Sequence, residues 1–357
     1  MEFISKHVSV KLRSRQSGNE ADVVIIGGGP SGSAAAMICA RAGLRVVLLE
    51  SFHFPRDRPG ETLNPAIEVI WERLGVLEDI RRAGFQRLDG HFIDFGDGPQ
   101  FISYGSDKRG PWLGYHASRS ALDAILIDSA QRCGVDIRQP SRAREVVVRD
   151  GRISAVVTDD GPISCRFVID ASGAARWLAK QLGLFLIRRS KRLTASYGYR
   201  EGASFGAPYF RMRPEGWAWV AEVQPQRIAW VQLTSPPRPD PSLIEDFLAG
   251  TTPDGCVKRA SVDWRLVQEC AGPGYFLVGE AAAMLDPAAS TGVFRAMLCG
   301  ITAGQTVVDI HFGNLGERHA VLAYQSWVSA WFEQECMNLL KTYLEYCPSL
   351  AQQIRGA

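Results

Sequence analysis

From Ala21 to Glu50 the chain reads A-D-V-V-I-I-G-G-G-P-S-G-S-A-A-A-M-I-C-A-R-A-G-L-R-V-V-L-L-E, and few stretches limit a fold as sharply. Val23 to Ile26, with Ala21 just before, predict a buried parallel strand. Gly27, Gly29 and Gly32 then fit G-x-G-x-x-G, and Pro30 and Ser31 open a small-residue helix expected to run to about Ala42. Gly43 closes it, and Arg45 to Leu49 predict a second strand ending in Glu50. Each glycine has a physical task. Gly27 permits a tight turn, Gly29 lets backbone amides approach a pyrophosphate, and Gly32 with Ala34 to Ala36 lets the helix lie close on the sheet. The positive end of that helix faces the anion. Glu50, 23 residues after Gly27, is placed to accept hydrogen bonds from a ribose diol. The pattern predicts an α/β, Rossmann-like domain holding an adenine dinucleotide; FAD and NAD are both open at this point.

Composition excludes several other functions. The 357 residues are enough for one large domain or two. Net charge is +2, and the 33 Arg and 7 Lys are scattered rather than blocked, which argues against a nucleic-acid surface. No run of about eighteen apolar residues occurs, so no membrane span is expected. Residues 1–20 are polar, lack an apolar signal core, and read as a loose arm or short strand. The eight cysteines show no C-x-x-C and read as buried free thiols in a reducing cytoplasm. No histidine spacing suits a metal, so none is expected.

A second segment chooses between the two dinucleotides. Gly274 to Gly304 reads G-Y-F-L-V-G-E-A-A-A-M-L-D-P-A-A-S-T-G-V-F-R-A-M-L-C-G-I-T-A-G. A strand delivers Gly279-Glu280, Asp286-Pro287 follows, and Ser290-Thr291-Gly292 opens a long helix. This resembles the second FAD signature of glutathione-reductase-type flavoproteins, in particular the flavin-dependent monooxygenases and halogenases. The resemblance implies that Glu280, where the family usually has Asp, binds ribityl or ribose hydroxyls, with Asp286 in the same signature. It also implies that the helix N-terminus faces the flavin pyrimidine ring, where a dipole stabilises charge on reduced flavin. V-I-D-A-S-G-A (Val168 to Ala174) resembles the family's D-A-[ST]-G segment. H-A-S-R-S-A-L-D-A-I-L (His116 to Leu126) resembles the stretch whose arginine, here Arg119, contacts the cofactor. On this ground FAD is the expected cofactor.

Two further motifs point toward the flavin. Phe54 to Pro65, F-P-R-D-R-P-G-E-T-L-N-P, matches the family's F-P-R-x-x-x-G-E-[ST]-L-x-P loop. The resemblance places Arg56 on the FAD phosphates or ribityl chain and Gly60, Glu61 and Thr62 against the isoalloxazine edge. G-W-A-W-V, Gly216 to Val220, matches the W-x-W-x-[IV] of tryptophan and phenolic halogenases. Strand alternation puts Trp217 and Trp219 on one face, where they serve either as core or as a partition screening the flavin. Glu61, Thr62, Trp217 and Trp219 are the candidate catalytic residues.

Elsewhere, Leu193 to Glu201, Pro208 to Arg213, Trp217 to Val223 and Arg227 to Thr234 predict four antiparallel strands, and residues 86–104 two more. Past residue 313 a long amphipathic helix is expected. The implied layout is a discontinuous FAD-binding domain (21–85, 110–184, 262–313), a substrate-binding β-sheet domain (86–109, 185–261) and C-terminal helices (314–357). In this family reduced flavin and dioxygen give a C4a-hydroperoxide, which halogenases turn on chloride with a lysine as guide. Ser290-Thr291-Gly292 resembles the halogenase segment that holds chloride, but Ala289 precedes it where tryptophan halogenases usually have Glu. No lysine lies between Lys11 and Lys108, where that guide would stand. Arg87, nearby, stays protonated and cannot replace it. The expectation is therefore a monooxygenase hydroxylating an aromatic substrate, an indole above all, free or peptidyl; the loop and compact length look similar to the flavoproteins that modify protein tryptophan in quinone-cofactor biogenesis. A halogenase, a geranylgeranyl-reductase-like enzyme acting on an alkene, and a non-catalytic FAD-fold escort are the alternatives. With no second dinucleotide fingerprint after Glu50, electrons come from transiently bound NAD(P)H or a separate flavin reductase.

Overall fold

The computed structural model describes residues 19–56, 58–202, 206–235 and 240–355. The N-terminal arm falls almost wholly outside them, as does Asp57 of the Phe54–Pro65 loop. The fingerprint folds as its glycines require: strand β1 (Glu20–Ile26), helix α1 (Pro30–Arg41) and strand β2 (Val46–Leu49), with Gly43 at φ +88° turning the chain between the last two. Val23, Val24 and Ile25 have no solvent exposure, as a strand covered on both faces demands.

β1 lies between β2 and the long strand Gly161–Asp170, parallel to both. That long strand forks. Its first residues, Gly161 to Ser164, pair antiparallel with Arg152–Thr158, while Val168 to Asp170 pair parallel with Tyr275–Leu277. The sheet thereby gathers strands from three distant parts of the chain, eight in all.

A second, seven-stranded sheet has the order Thr252–Ser261, Thr194–Glu201, Arg227–Thr234, Gly216–Gln224, Tyr209–Arg213, Gly90–Asp94, Gln100–Ser103. Neighbours are antiparallel except for Tyr209–Arg213 against Gly90–Asp94, which run parallel. The four predicted strands are present, and residues 86–104 hold three strands where two were expected, Gln86–Leu88, Gly90–Asp94 and Gln100–Ser103. Thr252–Ser261 was not anticipated: a long edge strand with mostly exposed side chains carries no buried alternation to read. It also holds the exposed Cys256, and Cys133 is only half-buried, so the expectation of eight buried thiols is corrected to six. A small sheet of Thr62–Leu63, Gly114–His116 and Gln86–Leu88 includes the end of the Phe54–Pro65 loop and is bonded through His116 to Glu222 of the second sheet.

The C-terminal part is helical, with Gly292–His311, Glu317–Tyr346 and Pro348–Arg355. The first of these is long and apolar enough to cross a membrane, with a mean hydropathy of 1.2, but 56% of it is buried inside the fold. It packs against α1 at glycine positions. A Cβ on Gly300 would fall 2.1 Å from the Ser31 carbonyl oxygen, and one on Gly304 would fall 3.1 Å from that of Ala35. Two backbones that close cannot accommodate a side chain. Gly300→Ala should therefore destabilise the fold by about 1–3 kcal/mol through overpacking, lowering the denaturation midpoint. Gly292→Ala, whose Cβ meets nothing within 4 Å, should leave the midpoint in place.

Candidate cofactor and active site

The fingerprint turn is fixed from three sides. Gly27 sits at φ +103°, and a Cβ there would collide with the Ala171 carbonyl at 2.4 Å. Its amide donates to Leu49 O at 2.8 Å, and the Gly28 amide donates to Glu50 Oε2 at 2.9 Å. Gly32 lies so near Gly27 O that a Cβ would stand at 1.9 Å. At Gly29, by contrast, the space is open: a Cβ would meet only Arg56 Nη2, at 3.7 Å. The first amides of α1 have no partner within the helix, and no acidic side chain occupies its first turn. An anion of pyrophosphate size fits this arrangement.

Glu50 is buried and more occupied than a free ribose ligand would be. Besides Gly28, its Oε2 takes a bond from Arg56 Nη2 (3.3 Å), and Oε1 accepts from the Phe52 amide (3.0 Å). Arg56 lies over the Phe54 ring at 4.8 Å, and its Nε is buried with no partner among the described residues. Burial lowers its pKa, opposed by the Glu50 carboxylate.

The remaining family segments converge on the same region. Gly279, at φ +58°, is within 3.3 Å (from its would-be Cβ) of both Ser31 Oγ and Ala296 Cβ, tying the second signature to both helices. Glu280 is exposed, and its Oε2 lies 3.6 Å from the Cβ position of Gly173 in the D-A-S-G segment. At Gly60, with φ +107°, a Cβ would stand 3.2 Å from Arg119 Nη1 and 3.7 Å from Val293 Cγ2. The loop therefore lies against the start of Gly292–His311. Ser290 takes φ +50° and is exposed, Thr291 caps the helix, and its first turn has no acid. From Gly300, the contact with α1, back to Gly292 is about 12 Å along the axis. That separation suits a cofactor with its phosphates at one helix start and its ring at the other.

Arg119 is nearly buried but not free for a ligand. Nε and Nη2 form a two-pronged pair with Asp123 at 2.9 and 3.0 Å, and Nη1 donates to Pro59 O at 3.0 Å. Burial would lower its pKa, yet Asp123 reverses the direction and raises it. The geometry makes Arg119 a brace for the loop. The i,i+4 spacing of Arg119 and Asp123 is a signal the sequence did contain.

Glu61 is buried at the junction with the second sheet. Oε2 accepts from the Gly60 amide at 2.7 Å, Oε1 from Tyr199 Oη at 2.8 Å. Burial raises its pKa against those two bonds. Half-buried Trp219 and Tyr199 pack on one small apolar group, Ala221, Val223 and Ala229.

Trp217 and Asp286 belong elsewhere. Trp217 shares a face with Trp219 but has no exposure, and its Nε1 donates to Tyr343 Oη at 2.8 Å. Tyr343 in turn donates to Asp286 Oδ1 at 2.8 Å, and Trp264 Nε1 donates to Asp286 Oδ2 at 2.6 Å. The Ala288 amide completes the set at 3.0 Å. Both Asp286 oxygens are thus spent inside the protein, which corrects its expected place among the cofactor ligands: it fixes the turn that precedes the helix Gly292–His311. Trp217 is core, not partition. Tyr343 and Trp264 carried no sequence signal, since a buried aromatic reads as packing until its partner is known.

Comparison with known proteins agrees with this geometry. Residues 20–226 match the FAD binding domain family. A tryptophan 2-halogenase of Chondromyces crocatus is 30% identical over 335 residues, which cover 85% of this chain and 64% of that protein. A menaquinone reductase of Mycolicibacterium smegmatis is 27% identical, over 81% of this chain and 76% of its own length. The structure of the myxobacterial chondrochloren halogenase CndH superposes with a TM-score of 0.83 at 24% identity, covering 91% of this chain and 82% of that one. The chain belongs to the FAD-binding domain family, and its cofactor is FAD. It spans 64% of the length of the tryptophan 2-halogenase.

Two outcomes follow. Glu50→Gln should leave the fold intact and weaken FAD by roughly 1–3 kcal/mol, the range for a charged hydrogen bond, in an equilibrium fluorescence titration. For Asp286, burial raises the pKa from the ordinary 3.8 to about 6, against the bonds from Trp264 and Tyr343. The unfolded chain therefore releases this proton first, so the group's contribution to stability falls as pH rises from about 4 to about 6 and is level above. Asp286→Asn should lack that slope in a comparison of denaturation midpoints across pH.

Proposed function

We propose that this chain is an FAD-dependent monooxygenase that hydroxylates an aromatic ring, an indole above all, either free or carried on a peptide as in quinone-cofactor biogenesis. Bound FAD, once reduced, supplies the activation of dioxygen. Gly27, Gly29, Pro30, Ser31 and Gly32 hold the pyrophosphate, with Arg56 supplying charge and Glu50 meeting the ribose. Gly60, Glu61 and Thr62 run along the ring edge with little bulk. Ser290, Thr291 and Gly292 present the helix start where reduced flavin collects negative charge, and Glu280 faces the ribityl side. Trp219 restricts water from above. The cofactor domain (21–85, 110–184, 262–313) and substrate domain (86–109, 185–261) meet at Glu61 and Tyr199.

The observation that favours hydroxylation over halogenation is the absence, among the described residues, of a buried ammonium group. The described lysines, at 108, 180, 191, 258 and 341, are all exposed, and none occurs between Lys11 and Lys108. The strand Gly90–Asp94 carries His91 instead, whose pKa is lowered by burial. Without a buried ammonium, hypohalous acid would have neither a guide nor a nitrogen carrier. The tryptophan 2-halogenase relative supports an indole substrate. The donor is NAD(P)H in passing or a separate flavin reductase, in a reducing cytoplasm.

The trial is direct. The chain is given reduced FAD, dioxygen, bromide and tryptophan in free and peptidyl form, and product masses are read. A gain of one oxygen atom carrying label from oxygen-18 gas is expected. A brominated product overturns the proposal. An alkene-reduced lipid formed without dioxygen would instead favour the reductase reading that the menaquinone reductase relative raises.

A further inference from the structure

Two buried polar atoms at the junction of the sheets have no partner among the described residues: His116 Nε2 and Thr62 Oγ1. Their strands are antiparallel, and Thr62 stands directly opposite His116. Opposed residues project from the same face. The next pair, Leu63 and Tyr115, points the other way into the core. The face bearing His116 and Thr62 looks toward the seven-stranded sheet, since His116 Nδ1 bonds to the Glu222 carbonyl at 2.7 Å. A carbonyl oxygen can only accept, so Nδ1 carries the hydrogen and Nε2 is left as a bare lone pair. His116 is 2% exposed. Burial, opposed by Glu222, lowers its pKa to about 4, which keeps the ring neutral near pH 7. Glu61, next to Thr62, is saturated by Gly60 and Tyr199 and satisfies neither atom.

An acceptor and a hydroxyl, both buried, unpartnered and side by side, cost free energy unless a ligand completes them. We propose that His116 Nε2 and Thr62 Oγ1 form a binding subsite for a planar ring N–H. Resting on the flavin reading of the adjacent loop, two sources present that group: N3–H of the isoalloxazine, flanked by carbonyls, and the ring N–H of an indole substrate. In either case His116 accepts the ligand's hydrogen, and Thr62 is the neighbouring donor.

The test uses two replacements with opposite geometry. In His116→Asn the amide nitrogen overlays Nδ1 and keeps the Glu222 bond, but nothing reaches the Nε2 position. In His116→Gln the side-chain oxygen reaches that position. FAD and 3-methyl-FAD are titrated into the full chain and both variants, by flavin fluorescence and visible absorption; indole and 1-methylindole are titrated into the FAD-loaded chains. If the flavin is the source, the affinity gap between FAD and 3-methyl-FAD is larger by about tenfold in wild type and His116→Gln than in His116→Asn. If the substrate is the source, that excess appears for the indole pair alone. The same gap in all three chains for both pairs overturns the subsite and leaves His116 a purely structural residue. Should a histidine variant fail to fold, the isosteric Thr62→Val must weaken FAD or indole about threefold or more, and no change overturns the proposal. A wild-type chain that binds no FAD would refute the flavin reading itself, a separate result.

Discussion

The contact of α1 with the helix Gly292–His311 is what the site depends on. At Gly300 and Ser31 the two backbones touch with no side chain between them. This contact sets the spacing of two helix starts, one suited to phosphates and the other to the edge of a ring. Because α1 is anchored to β1 and β2 by the fingerprint turn, and the second helix by the Asp286 turn, each start is rigid. Small residues here are therefore a geometric requirement of the site, not a weakness of the core.

Around that contact, polar bonds rather than apolar area decide where the loops lie. Asp123 holds Arg119, Arg119 holds the Pro59 carbonyl, and Gly60 then has room only for itself beside Val293. On the far side Glu61 is held from the second sheet by Tyr199. The loop is thus pinned from two sides, with the Glu61 carboxylate held inside the protein while its glycine is left as the smooth surface.

Much of this was legible in the sequence. The strand–turn–helix–strand of residues 21–50, the second signature, and the antiparallel strands of the second sheet all have periodicity or glycine spacing that only one local structure satisfies. Side-chain roles were less legible, for a physical reason. A motif fixes where a residue sits on the backbone, but not which neighbour reaches it first. Asp286 reads as a ligand until Tyr343 and Trp264, distant in the chain, saturate both its oxygens. Trp217 reads as a screen until the C-terminal helix covers it. His116 lay in a recognised stretch, yet its bare nitrogen is visible only once the Glu222 carbonyl is known to hold the other one.

The forked strand Gly161–Asp170 also orders events during synthesis. Its hairpin partner Arg152–Thr158 has already left the ribosome when it emerges, and β1 is waiting. Its other partner, Tyr275–Leu277, and the helix that follows come more than a hundred residues later. Until then one flank of the sheet is an unpaired edge beside an incomplete cofactor cradle. A growing chain must keep that edge from pairing with other chains. The Asp286 turn before the second helix is itself closed by Tyr343, so the cradle is complete only once the following helix, Glu317–Tyr346, has also been made.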